Sequence, residues 1–212
     1  RMVVSELAGK ASLLHKAAAL GINLEVAGVD IQAVLDDIKD REAHGYTYEV
    51  ADGSLALLMM RHVGTYRSAF NLESFRVIVD DREDTGALAK DAASEAVIEI
   101  HVGDERFVAT GEGAGPVGAL GAALRAAITE SYPEVAGLEL TDYKVRLLDE
   151  SQGTDAITRV TITTSDAFGS FGTVGVSENV IEASWNALVE SIEYGLVRKY
   201  KARKKVTEGE DG

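Results

Sequence analysis

The stretch FVATGEGAGPVGALGAALRAAI at positions 107–128 decides the fold, because it passes from strand spacing to helix spacing across one glycine-rich loop. Before Gly111 the residues alternate as in a strand with one buried face. From Pro116 onward the apolar side chains form a single helical stripe. Its members are Val117, Leu120, Leu124 and Ile128. We therefore predict a strand, a glycine loop and a helix from Pro116 to Ile128.

Two more strands are predicted upstream of this stretch. The segments 75–79 and 96–102 both have period-two patterning, and a turn at Gly103-Asp104-Glu105 leads into the strand at 106–110. The charged and small residues at 82–95 are typical of a mobile loop. Together these elements predict a β-β-β-α unit.

The same unit occurs a second time. The stretch FGTVGVSENVIEASWNALVESI at 171–192 matches the first stretch, and Gly175 follows Gly111 by 64 residues. This single offset also places Val117 on Ile181, Ala123 on Ala187 and Ile128 on Ile192. A duplication is the simplest explanation. We predict one domain at 71–212, containing repeats at about 71–134 and 135–200.

The first 70 residues have helical spacing instead. One helix is predicted to end at Gly21, a second to follow Asp30 as N-cap, and a third to span Gly53 to His62. The predicted fold class is therefore α+β. A small helical subdomain (1–70) precedes the duplicated β-β-β-α domain, whose sheets are mainly antiparallel.

Composition excludes several classes of function. The 212 residues contain no cysteine, so disulfides, thiolate zinc sites and a cysteine nucleophile are ruled out. A net charge of −14 argues against nucleic acid and anionic lipid as partners. No apolar run is long enough to span a membrane, and we expect a cytoplasmic protein. Because the chain begins at Arg1 on a strand-like run, Met2-Val3-Val4, we expect it to be a piece of a longer polypeptide.

Catalytic patterns are poor throughout the sequence. The four histidines, His15, His44, His62 and His101, are scattered without metal-ligand spacing. No nucleophile, base and oxyanion hole can be assembled from the motifs. We expect no catalytic residue, no metal site and no cofactor in this chain.

The glycine loop is the strongest chemical feature. Backbone N–H groups at a helix start form an anion site, although three glycines could instead simply supply positive φ in a tight corner. Gly113, Gly115 and Gly118 match the dinucleotide pattern G-x-G-x-x-G. We reject that match because the preceding strand alternates and the second copy has Ser177-Glu178-Asn179 in place of the glycines.

Several ordered motifs carry a family resemblance. They are Gly113-x-Gly115-Pro116-Val117, Asp142-Tyr143-Lys144-Val145, Gly153-Thr154-Asp155-Ala156 and the segment 172–184. This set resembles the C-terminal regulatory domain of the 2-isopropylmalate synthase and citramalate synthase family. The segments 4–10 and 191–194 are similar to the citramalate synthase branch. The resemblance implies that a catalytic barrel, which carries a divalent metal and the acyltransferase chemistry, precedes this region in the parent enzyme.

The resemblance also implies an effector site. In the family the end-product amino acid binds between the regulatory domains of two subunits, which makes a homodimer the expected assembly. The matched effector positions are Gly113, Ala114, Gly115, Val117, Gly118, Leu140, Tyr143, Leu147 and Val180. Isoleucine is expected from the citramalate branch, and leucine is expected if the parent is a 2-isopropylmalate synthase. A dimerisation scaffold without a ligand remains the structural alternative.

Two aromatic residues allow further expectations. Tyr143 aligns with Phe75 and is therefore expected to begin the fourth strand, and the repeat keeps an aromatic ring while only the second copy has a hydroxyl. A hydroxyl at an otherwise core position is expected to have a partner. Trp185, the only tryptophan, is either core filling or an anchor between subunits.

Overall fold

The computed structural model describes residues 2–79, 94–148 and 156–209 of the chain, with side chains in 9–79, 94–148 and 156–202. The helices are α1 (Met2–Ala19), α2 (Ile31–Ala43), α3 (Asp52–Val63), α4 (Pro116–Ile128) and α5 (Val180–Gly209). The strands are β1 (Asn71–Val79), β2 (Ser94–Val102), β3 (Glu105–Gly113), β4 (Glu139–Leu147), β5 (Thr158–Asp166) and β6 (Gly169–Ser177). They form two antiparallel sheets, ordered β1-β2-β3 and β4-β5-β6. The α+β class and both β-β-β-α successions are confirmed.

The first three helices begin and end close to where the sequence predicts. Asp30 is the N-cap of α2, and its carboxylate accepts hydrogen bonds from the Gln32 and Ala33 amides at 2.9 and 3.4 Å. Gly64 closes α3 in the left-handed conformation. The strand-like interpretation of Met2-Val3-Val4 is wrong, because the helical pattern that follows extends back to Met2. The loop predicted at 82–95 lies outside the described residues as far as position 93, and β2 begins at Ser94.

The chain divides into two compact units by its contacts. One, which we call the β4 unit, comprises Arg1–Arg67, Leu140–Thr164 and Gly169–Tyr194. The other, the β1 unit, comprises Ser68–Glu139, Ser165–Phe168 and Gly195–Gly212. The sequence-based division into a helical subdomain (1–70) and a two-repeat domain (71–212) stays a prediction.

The β1 unit has a core between α4 and one face of its sheet. On β2 the buried residues are alternate ones, Ala96, Ile98 and Ile100, as expected for a strand with one face in the core. Phe75 of β1 pairs with Ile98 and therefore lies on the same face. The apolar stripe of α4 is buried at Leu120, Leu124 and Ile128. Each such side chain contributes about 1.5–3 kcal/mol of burial free energy.

A strand glycine in each repeat lies directly against the backbone of the helix that follows it. A Cβ on Gly111 would lie 2.5 Å from the Ala119 carbonyl oxygen and closer still to the Ala123 amide nitrogen. A Cβ on Gly175 would lie 2.8 Å from the Ala187 nitrogen and closer still to the Ala183 oxygen. The contacted atoms differ by the same 64-residue offset. The duplication is therefore visible in the packing as well as in the sequence.

The interpretation of the loop glycines as positive-φ residues is wrong. Gly111 and Gly113 belong to β3, and Gly115 has an extended φ of −159°. Among the described residues, positive φ occurs at other glycines, such as Gly103 in the β2–β3 turn. The reason for glycine at positions 111 and 113 is close strand–helix approach. Trp185 is 4% exposed, which favours the core interpretation of that side chain.

We predict that Gly111→Ala and Gly175→Ala each destabilise the chain by about 1–3 kcal/mol or more, because the added methyl group overpacks a helix backbone. Gly9→Ala is the matched control, since nothing lies within 4 Å of a Cβ there. A glycine in a helix is disfavoured, so this control should stabilise the chain by about 0.5–1 kcal/mol. Urea unfolding measures all three free energies. Wild-type stability in Gly111→Ala and Gly175→Ala would contradict the packing argument.

Candidate functional site

The start of α4 is a helix end without a side-chain cap. Gly115 is the N-cap residue and has no side chain to accept a hydrogen bond, and Pro116 takes the first helical position. The amides of Val117 and Gly118 in the first turn therefore point away from the helix without a capping partner. The helix dipole adds partial positive charge at the same place. This backbone arrangement suits a carboxylate.

The individual glycines at this turn have different reasons to be there. A Cβ on Gly113 would lie 2.5 Å from the Ala119 amide nitrogen, so Gly113 allows β3 to approach α4. A Cβ on Gly115 would meet nothing within 4 Å. Ala114 and Gly118 are exposed, while Gly115 is half-buried. Neither space nor backbone conformation requires glycine at position 115, and an absent side chain leaves the helix start open.

The start of α5, the counterpart of α4, is capped by side chains of the residues that precede it. The side-chain oxygen of Asn179 accepts hydrogen bonds from the Ile181 and Glu182 amides at 2.8 and 3.4 Å. The Ser177 hydroxyl accepts from the Asn179 amide and donates to the Glu182 carboxylate. The donors that stay open in the first repeat are thus occupied in the second.

A second group of predicted site residues lies in the β4 unit. Leu140 and Leu147 of β4 are 37% and 53% exposed, and Val180 at the start of α5 is 39% exposed. Tyr143 lies in the middle of β4, not at its beginning as the alignment predicted, since β4 starts at Glu139. Leu140, Leu147 and Val180 are thus exposed branched side chains, whereas Tyr143 is half-buried.

Tyr143 and Val180 are brought together by Ser184, which lies in the motif 172–184 but is not among the predicted site residues. The Tyr143 hydroxyl lies 2.8 Å from the Ser184 hydroxyl, which donates to the Val180 carbonyl at 2.6 Å. Ser184 has one hydroxyl proton, so Tyr143 is the donor in the other bond. The Tyr143 oxygen keeps a free acceptor position. Ser184 could have been found in the sequence, because the first repeat has Leu120 at the matching place.

The predicted site residues fall into these two groups. Gly113, Ala114, Gly115, Val117 and Gly118 belong to the β1 unit. Leu140, Tyr143, Leu147 and Val180 belong to the β4 unit. A cavity of about 300 Å³ lies elsewhere, between α1 and the loop after it, and none of the predicted residues lines it.

Titratable side chains cluster between α2 and α3. The Asp37 carboxylate lies 2.9 Å from His62 Nε2 and accepts from Arg41 Nε at 2.7 Å. Burial would raise the pKa of Asp37, but the hydrogen bonds from His62 and Arg41 outweigh it and lower the pKa. Asp37 therefore stays ionised and ties the two helices together. Across the ranges that the structure describes, no three histidine, aspartate or glutamate side chains are grouped to hold a metal ion.

His101 and His44 also have local partners. The His101 ring lies 3.0 Å from the Glu73 carboxylate, and His44 Nδ1 lies 2.7 Å from the Asp40 carbonyl. Both contacts lie on exposed surface. In the described part of the chain, no helix is both long and apolar enough to cross a membrane.

Comparison with known proteins gives a consistent result. Residues 49–196 match the model of the LeuA allosteric (dimerisation) domain family. The chain is 47% identical over 199 residues to an (R)-citramalate synthase of Streptomyces coelicolor, covering 93% of this chain and 36% of that protein. For the (R)-citramalate synthase of Aquifex aeolicus the identity is 43%, with 93% and 37% covered. The chain thus spans little more than a third of the length of these relatives.

We predict that the Tyr143–Ser184 hydrogen bond contributes to stability without any ligand. Tyr143→Phe and Ser184→Ala should each lower the free energy of unfolding by about 0.5–1.5 kcal/mol, the net value of one hydrogen bond. The double variant should lose less than the sum of the two, because both changes remove the same bond. Urea unfolding of the four proteins gives the coupling energy. Full additivity would mean that the two hydroxyls do not interact.

Proposed function

Because the chain belongs to the LeuA allosteric (dimerisation) domain family, we propose that it is the regulatory region of an (R)-citramalate synthase. The parent enzyme would condense pyruvate with acetyl-CoA to (R)-citramalate for isoleucine biosynthesis. This region would form a homodimer, bind isoleucine and inhibit the parent by feedback. It would not be catalytic alone.

The observation that carries the ligand proposal is the uncapped start of α4. Its counterpart on α5 is capped by the Asn179 side chain, which accepts from the Ile181 and Glu182 amides, although the two repeats share their packing. The difference leaves the amides of Val117 and Gly118 open to an anion. A free amino acid has a carboxylate for such a site. Gly113, Ala114 and Gly115 keep side chains away from it.

The predicted site residues of the β4 unit have the apolar character that the family resemblance implies for a branched-chain effector. Leu140, Leu147 and Val180 offer exposed apolar surface that a branched side chain would cover. Tyr143 donates its proton to Ser184 and so can accept a hydrogen bond from a ligand. Tyr143→Phe should therefore weaken amino-acid affinity by about 0.5–1.5 kcal/mol in addition to its effect on stability.

Two alternatives remain. A 2-isopropylmalate synthase region would bind leucine, and the similarity to several (R)-citramalate synthases favours the citramalate branch, for which isoleucine is the expected effector. A pure dimerisation scaffold would bind no amino acid. The open helix start favours a ligand over a scaffold, because a structural corner gains stability from a cap such as that of α5.

Calorimetric titration with isoleucine, leucine and valine tests the proposal. Isoleucine should bind most tightly, and valine should bind at least severalfold more weakly, because one missing methylene in an apolar site costs about 1–3 kcal/mol. Tighter binding of leucine would favour the 2-isopropylmalate synthase alternative. No heat from any of the three would overturn the ligand proposal, and sedimentation would then test the scaffold.

The Gly115→Asp variant distinguishes a site that binds a ligand carboxylate from a dimerisation scaffold that binds no ligand. The position has room for a side chain, and aspartate is a good N-cap, so the chain should fold with wild-type stability or slightly more. The added carboxylate would occupy the first-turn amides and repel a ligand carboxylate. We therefore expect a stable dimer that no longer binds isoleucine. Gly115→Asn is a control for the charge, and undiminished isoleucine binding by Gly115→Asp would contradict the site.

A further inference from the structure

Helix α3 completes the edge of the second sheet. In the order β4-β5-β6, β6 is an edge strand, and its outer amides need partners. The Val174 amide donates to the Ser54 hydroxyl at 2.9 Å, and both residues are buried. The helical segment, by which we mean α1 to α3, therefore supplies a hydrogen-bond partner that the sheet lacks.

Two glycines make this approach possible, one on each side. A Cβ on Gly172 of β6 would lie 3.0 Å from the Val50 carbonyl carbon and closer still to its oxygen. A Cβ on Gly53 of α3 would lie 2.8 Å from the Gly172 oxygen and 2.9 Å from the Tyr194 ring. We call the contact made by Gly53, Ser54, Gly172 and Val174 the α3–β6 joint. It has no space for a larger residue on either side.

Helix α5 connects this joint with the proposed effector strand. The Thr173 hydroxyl donates to the Ala187 carbonyl at 2.8 Å, and Arg61 of α3 pairs with Glu190 at 3.0 Å. Ser184, which holds Tyr143, lies six residues before Glu190 on α5. At a rise of 1.5 Å per residue these side chains are about 9 Å apart along one helix. Any shift of Ser184 along the helix axis is thus shared by Glu190.

The first repeat lacks the counterparts of these groups. At the 64-residue offset, Gly172 corresponds to Val108 and Thr173 to Ala109. Ser184 corresponds to Leu120, and Glu190 corresponds to Ala126. Val108 is 55% exposed, so its strand has no such cover. Duplication kept the fold of both copies, but these polar and small residues are found only in the second.

We propose that the α3–β6 joint and the Arg61–Glu190 ion pair make the second repeat the one that transmits effector occupancy to the helical segment. This inference rests on the proposed amino-acid effector. A ligand that contacts Tyr143 stabilises one position of β4 and α5, and α3 is held by the same helix and by β6. Coupling of this kind is reciprocal. If the bound ligand stabilises the packed position of α3 by some factor, a change that releases α3 lowers the affinity for the ligand by the same factor.

Hydrogen exchange of the α3 amides, measured on the full chain with and without isoleucine, tests the coupling. We expect isoleucine to slow this exchange by about fivefold or more, the lower range of allosteric coupling. Gly172→Val should speed hydrogen exchange of α3. It should also weaken isoleucine binding by the factor by which isoleucine slows α3 exchange in the wild type. The matched control is Val108→Gly, which should change neither the exchange of α3 nor the affinity for isoleucine.

A second variant keeps the test independent of folding. Glu190→Gln preserves side-chain volume and removes only the charge that holds Arg61, so it should reduce the isoleucine effect on α3 even if Gly172→Val does not fold. Isoleucine binding that leaves α3 exchange unchanged in the wild type would overturn this inference alone. Wild-type affinity in a folded Gly172→Val with a freely exchanging α3 would also overturn it. No binding of any amino acid would overturn the proposed function and this inference with it.

Discussion

The close approach of a strand backbone to the following helix is the constraint on which each repeat depends. Gly111 and Gly175 lie so near the helix backbones that any side chain would collide. This approach lets the small residues Ala119 and Ala123, and Ala183 and Ala187 in the second copy, face the strand. The buried leucine and isoleucine side chains then pack beside this contact. One geometric requirement therefore fixes the position of each helix on its sheet.

The two repeats share this packing and differ where chemistry is possible. The first repeat leaves the start of α4 uncapped, whereas the Asn179 side chain accepts from both matching amides of α5. The second repeat gains polar groups where the first is apolar, with Ser184 in place of Leu120. A duplicated fold offers two equivalent positions, and divergence can give each a separate role. In this chain one copy has an uncapped helix start, and the other has a hydroxyl pair that joins β4 to α5.

The helical segment packs directly against the backbone of the second sheet. Ser54 supplies a hydrogen bond to the edge strand, and glycines on both sides allow the contact. Arg159 of β5 adds hydrogen bonds to the Gly45 and Tyr46 carbonyls before α3. The contact satisfies the Val174 amide of the edge strand, and covering an edge is one of the ways in which proteins limit pairing with other chains. The segment before the repeats is thereby part of the folded β4 unit.

The sequence by itself determined the α+β class, the duplication and the order of helices and strands, because hydrophobic periodicity and capping residues are local signals. The strand starts that it specified came up to four residues too late, as at Asn71 of β1. The helix from Pro116 to Ile128 was predicted residue for residue. The sequence did not reveal that Gly111 and Gly113 allow close strand–helix approach, since only the packed structure shows which backbone atoms a glycine faces. Ser184 as the partner of Tyr143 and Ser54 as the partner of Val174 also came from tertiary structure. Those pairs join residues 41 and 120 positions apart, and no local pattern specifies contacts over such distances.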